Sequence, residues 1–97
     1  MEAGKSKWFL GKDLLNIEQG TVKLVKVLSN SSYPEHIHPN KTEFAFVQQG
    51  NPEFFIGSEH FEGKEGDFFV FPAKEQHAIL NSTNDTCILL IGAFNIS

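Results

Sequence analysis

The residues best equipped for chemistry lie in Glu35-His36-Ile37-His38-Pro39-Asn40-Lys41-Thr42-Glu43, with His77 further along. His36 and His38 are one residue apart, so in an extended chain both imidazoles leave the same face. Glu43 opens Glu43-Phe44-Ala45-Phe46-Val47, which has the aromatic and β-branched content of a strand. Three imidazoles and one carboxylate suit a borderline divalent transition metal and not a hard ion such as calcium. The expectation is therefore one divalent transition metal per chain, held by His36, His38, Glu43 and His77. Iron, manganese, nickel, copper and zinc all remain compatible with that set. Four protein ligands leave about two positions of an octahedral ion open, as a catalytic site needs. Glu43 is the candidate catalytic base, since a carboxylate can leave the ion and take a proton. The fourth histidine, His60, sits in the polar stretch Gly57-Ser58-Glu59-His60-Phe61 and is expected to face solvent.

The elements that must carry these residues read as short strands. Thr21 to Leu28 alternates well enough for a strand, and Asn30-Ser31-Ser32-Tyr33-Pro34 reads as a loop leading into the His-x-His strand. Glu43 to Gln48 ends at Gln49-Gly50-Asn51-Pro52. Glu53 to Ile56 and Glu59 to Glu62 flank Gly57-Ser58, a two-residue hairpin turn. Phe68 to Phe71 is closed by Pro72, which cannot donate to a ladder. Gln76 to Asn81 carries His77, and Thr86 to Phe94 finishes the sheet. Met1 to Asn16 reads as an extended arm with a turn at Gly11-Lys12-Asp13, in which Trp8 and Phe9 are free to pack on the barrel or on a partner. No segment has helical periodicity, so the fold class is all-β, an antiparallel sandwich or barrel.

The two ordered motifs resemble those of the cupin family. His36-x-His38, four residues, Glu43, six residues and Gly50 are similar to its first motif. Gly66, five residues, Pro72, four residues, His77, three residues and Asn81 are similar to its second. Asn30 and Lys74 stand where the family pattern has glycine; asparagine tolerates the left-handed backbone better than most residues. The resemblance covers residues 30–81 and implies a single-domain jelly-roll β-barrel over 1–97, with 1–16 as an N-terminal arm. It also implies a metal at the four residues named above.

Length and composition narrow the partners. Ninety-seven residues make one domain, able to bury about 60 to 65% of its unfolded surface. The formal charge is -4 and every one of the 8 cationic side chains is a lysine. Nucleic acid is thereby disfavoured, since it calls for clustered cations and usually arginine. A small, strongly anionic substrate is disfavoured too, for want of a guanidinium fork. No run is apolar enough to span a bilayer or to serve as a signal peptide, so no membrane partner is expected and the expected location is cytoplasmic. Cys87, the single cysteine, lies in Cys87-Ile88-Leu89-Leu90-Ile91 and reads as a buried thiol. Asp67 and Asn81 read as structural, and Glu35, Lys41, Glu75 and Gln76 as flanks of the site.

Ten phenylalanines are many for this length. If Glu43 points inward with Ala45 and Val47, Phe44 and Phe46 point out. An exposed aromatic ridge is a liability for a monomer, so a homodimer covering them is expected. Phe69, Phe71, Ile79, Ala45 and Val47 are the candidate lining of the site, which favours a small, largely uncharged organic substrate. Oxygenase-type chemistry is the first expectation for function. A metal-dependent isomerase or lyase, and a non-catalytic small-ligand binding or sensing barrel, are the alternatives.

Overall fold

The computed structural model describes residues 9–36 and 40–95. Nine strands and no helix make up these residues: β1 (Phe9–Ile17), β2 (Gly20–Val27), β3 (Ser31–His36), β4 (Lys41–Gln49), β5 (Glu53–Ile56), β6 (Glu59–Glu62), β7 (Phe68–Phe71), β8 (His77–Asn81) and β9 (Cys87–Asn95). They form two antiparallel sheets, one ordered β1-β2-β9-β4-β7 and the other β3-β8-β5-β6. This is the jelly roll that the resemblance implies. Among the described residues no helix is long and apolar enough to cross a membrane.

Alternation along the strands builds the core. On β4, Glu43, Ala45 and Val47 are buried while the residues between them are half-buried. The same parity turns Val25 and Val27 of β2 and Leu89 and Ile91 of β9 inward. From the facing sheet come Phe54 and Ile79, and from β7 comes Phe71, all at most 1% exposed. Phe54 stacks on Phe69 with centroids 4.2 Å apart. The barrel is therefore filled with side chains over most of its length, and its one buried carboxylate and imidazole among the described residues lie at Glu43 and His77.

Two segments differ from the sequence reading. The stretch expected to be a loop is strand from Ser31 onward, and Pro34 sits inside β3. That is tolerated because β3 is the edge of its sheet and its register shifts between Tyr33 and His36, where a missing N–H costs no ladder bond. Gly11-Lys12-Asp13 is not a turn but part of β1, an edge strand paired along its length with β2. A register shift between Asp13 and Leu15 takes up the irregularity. Trp8 lies outside the described residues.

The loops rest on local backbone chemistry. Gly57 takes φ 61° in the turn of the β5–β6 hairpin. Asn30 and Lys74, standing where the family motifs have glycine, adopt φ 53° and 74°. Lys74 thus accepts the left-handed backbone at a cost of about 1 kcal/mol. Asn81 is fully buried and fastens the end of β8. Its Nδ2 donates to the carbonyls of Val27 (2.9 Å), Leu28 (3.2 Å) and Asp85 (2.7 Å), while Oδ1 accepts from Thr83 N (3.0 Å) and Oγ1 (2.6 Å). Asp67 Oδ2 likewise accepts from Lys64 N at 2.9 Å, closing the turn before β7. Both residues serve the fold, as their positions suggested.

Two stability measurements check this reading. Asn81→Ala strands three carbonyls and a turn and is expected to cost about 3 kcal/mol in urea unfolding; a loss under about 1 kcal/mol would contradict it. Lys74→Gly relieves the left-handed strain but adds freedom to the unfolded chain. The net expectation is a stability unchanged or raised by up to about 1 kcal/mol, and a clear loss would mean that the lysine side chain itself holds the turn.

Candidate metal centre

β4 and β8 belong to different sheets, and at one end of the barrel they bring a carboxylate and an imidazole together. Glu43 Oε1 lies 2.7 Å from His77 Nε2. Glu43 is 5% exposed and His77 2%. Across the ladder from Glu43 stands Phe71 on β7, and its ring lies flat on the His77 imidazole, centroids 4.4 Å apart and planes 6° from parallel. On its other side His77 presents Nδ1 to the Glu75 carbonyl at 3.4 Å. Ring stacking and that carbonyl together fix where Nε2 points.

β3 contributes through register. His36, its last residue, pairs with His77 of β8. Position 36 is thus across the ladder from the His77 imidazole. The His36 side chain and the whole of His38 lie outside the described residues. Of the four expected ligands, the structure brings together the side chains of Glu43 and His77.

The donor chemistry suits a divalent transition metal. Two donors bonded to one ion at about 2.1 Å and roughly at right angles lie about 3 Å apart, so a 2.7 Å contact needs little movement to become a pair of ligands. Both atoms can bind a cation only when neither carries a proton. His36, His38, Glu43 and His77 are the residues that would hold it.

The surroundings match the expected lining in part. Ala45, Val47, Phe71 and Ile79 are buried on the inward face, and Phe69 is partly buried against the core. Register adds a residue that the composition argument passed over. Thr21 and Lys23 share the inward face of β2 with Val25 and Val27, in the rows that run through Ala93 to Glu43 and through Ile91 to Ala45. Lys23 is half-buried. The alternation Thr21-x-Lys23-x-Val25-x-Val27 carried that signal, and it places a cation on the wall that was expected to have few.

The remaining polar candidates are elsewhere. Glu75 and Gln76 are exposed and Lys41 half-buried, while the Glu35 and Tyr33 side chains lie outside the described residues. Cys87 is fully buried, and burial pushes its thiol above the ordinary value. His60 faces solvent on β6, its Nε2 2.9 Å from Glu53 Oε1, and the Ser82 hydroxyl donates to Glu53 Oε2 at 2.8 Å. The Ser82 bond first, and His60 second, hold the Glu53 carboxyl below the usual carboxylate value.

The chain belongs to the cupin family, whose domain model matches residues 23–92. No curated protein matches it. Among solved structures it resembles the cupin domain of Schizosaccharomyces pombe Cnp3 (TM-score 0.86, 16% identity, 91% of this chain and 65% of that one). It also resembles the TT1209 protein of Thermus thermophilus (TM-score 0.88, 17% identity, 92% and 85%). A third is a cupin-superfamily protein of Silicibacter pomeroyi described as a sugar phosphate isomerase (TM-score 0.86, 20% identity, 96% and 63%). The chain thus spans about two thirds of the length of the first and third of these. At such identities the likeness concerns the fold.

The Glu53 cluster, remote from the centre, gives a pH test. A carboxyl lowered in the folded state stabilises fully above its ordinary value near pH 4.3, and that contribution fades as pH falls through the lower folded value. Glu53→Gln is therefore expected to flatten the acid limb of Tm between about pH 6 and about pH 3. An acid limb identical to that of the unaltered chain would remove Glu53 from the account.

Proposed function

We propose that this cupin is a metal-dependent enzyme, holding one divalent transition metal at His36, His38, Glu43 and His77 and acting on a small, largely uncharged organic substrate by oxygenase-type chemistry. The observation that carries the reading is the buried carboxylate–imidazole pair, 2.7 Å apart at the end of an otherwise apolar barrel. A carboxylate is costly to bury, and a strand pair that holds one against an imidazole beside apolar walls is the arrangement of a functional site.

A bound iron, copper or nickel ion would supply redox chemistry toward dioxygen, and manganese or zinc would polarise a substrate oxygen. The chain's own contribution is positional. Phe71 and the Glu75 carbonyl hold the His77 ring. Glu43, with one oxygen on His77, is the candidate base: a carboxylate that can leave the ion would take a proton from a substrate carbon or hydroxyl. Phe71, Ile79 and Ala45 exclude water from that transfer and favour an apolar substrate body.

Lys23 supports a second reading. A half-buried lysine on the inward face of β2 offers a counter-charge to an enolate or carboxylate oxygen, which suits an isomerase or lyase. The description of the Silicibacter pomeroyi neighbour points the same way.

Elemental analysis of untagged protein purified without added metal tests the common part of both readings. Near-stoichiometric transition metal is expected, falling at least about 10-fold in Glu43→Gln and in His77→Ala. Metal-free protein that takes up none on reconstitution would defeat the proposal. An oxygen electrode then separates the two: metal-dependent oxygen uptake with phenolic or diketone substrates supports the first, and anaerobic turnover that Lys23→Met abolishes supports the second.

A further inference from the structure

His77 is the first residue of β8, which lies between β3 and β5. Its ladder partners are His36 on one side and Ile56 on the other. On the β5 side the ladder ends one residue further out, where Gly57 N donates to the Gln76 carbonyl at 2.8 Å. A bond placed so flanks an antiparallel pair that shares no bonds of its own. The Ile56–His77 pair therefore depends on this outer rung to stay in line.

The donor at position 57 is available because its backbone is left-handed. Gly57 takes φ 61° as the first of the two residues that join Ile56 to Glu59, the position where tight hairpins use glycine. A β-branched residue cannot hold that conformation without strain. The turn would have to open, and the N–H would leave β8. The fastening is main chain to main chain. The Glu75 carboxylate does lie where a Cβ on residue 57 would stand, but Glu75 is exposed and its side chain is free to swing aside.

What the rung holds is the segment that orients the imidazole. The Glu75 carbonyl faces His77 Nδ1 at 3.4 Å, near the long limit of a hydrogen bond, so a small displacement of that peptide ends the contact. The far side of the loop gives weak support. There Glu75 N donates to the Pro72 carbonyl at 3.3 Å, across the left-handed Lys74 at φ 74°. A long bond over a strained residue leaves the 2.8 Å rung at Gln76 as the firmer of the two anchors.

We infer, on the metal reading proposed above, that the Gly57–Ser58 turn is the positioning element of His77. The Gly57 N–H holds the Gln76 carbonyl, the Glu75 carbonyl stays on Nδ1, and Nε2 stays toward Glu43 Oε1. Gly57 stands outside both sequence motifs, yet it governs how tightly the centre holds its ion. Partners that orient a ligating imidazole through its other nitrogen are worth about 10- to 100-fold in metal affinity.

Cobalt(II) titration of untagged, metal-stripped protein, followed by visible d–d absorption, reads affinity and coordination together. Gly57→Val is expected to bind cobalt at least about 10-fold more weakly, with an altered band shape. Gly57→Asn combined with Ser58→Gly supplies the asparagine–glycine pair of another two-residue hairpin turn, and is expected to restore both. Glu75→Ala, which keeps the carbonyl, should match the unaltered chain. Urea unfolding of the metal-free variants separates the fold from the site. A Gly57→Val protein that is less stable but binds cobalt with unchanged affinity and spectrum overturns the inference. So does a loss that the exchanged turn leaves unrelieved, and so does a loss in Glu75→Ala as large as that in Gly57→Val. Should Gly57→Val fail to fold, Gly57→Ala, left-handed but unbranched, carries the same expectation at about 3-fold or more. An unaltered chain that takes up no cobalt defeats the metal centre itself, and this inference with it.

Discussion

One parity governs this molecule, the one that turns Glu43 into the barrel. A strand offers its two faces alternately, so the residue that sends a carboxylate inward also sends Phe44 and Phe46 outward. A slip of one residue on β4 would bury the phenylalanines and expose Glu43, Ala45 and Val47. The register with β9 and β7 excludes that slip, because Gly92 lies beneath Phe44 and Phe71 lies beside Glu43. The chemistry at one end of the barrel and the apolar surface on its outside are consequences of a single pairing.

The two sheets divide the labour at the centre. Glu43 comes from the large sheet and His77 from the small one, so their contact spans the sandwich. Both sides support the imidazole: β7 of the large sheet supplies Phe71 to its face, and the turn before β8 supplies the Glu75 carbonyl to Nδ1. Lys74 takes its left-handed backbone in that same turn, next to Glu75. Under the proposed function, that local strain lies beside a metal-binding side chain, where geometry matters more than local stability.

Much of this could be read from residue spacing. The alternation Glu43-x-Ala45-x-Val47 gave the inward face, Gly57-Ser58 gave the hairpin, and Asn81 was recognisable as a fastening residue. What escaped was set by partners distant in sequence. Pro34 looked like a loop residue because its own chemistry says so, and only its position on an edge strand makes it acceptable in β3. Gly11-Lys12-Asp13 looked like a turn until pairing with β2 extended it. Lys23 was hidden because its place on the inward face of β2 becomes meaningful only beside Ile91 and Ala45. The left-handed backbone at Lys74 is likewise imposed by the turn between β7 and β8 and not by lysine itself.

The most direct measurement is a crystal structure of the protein loaded with iron or manganese, with anomalous data collected on both sides of the metal edge. The account predicts one anomalous peak per chain, bonded to the Glu43 carboxylate and to imidazole nitrogens of His36, His38 and His77. A Glu43–His77 hydrogen bond that persists in loaded crystals, with no anomalous density beside it, would contradict the claim that these residues form a metal centre.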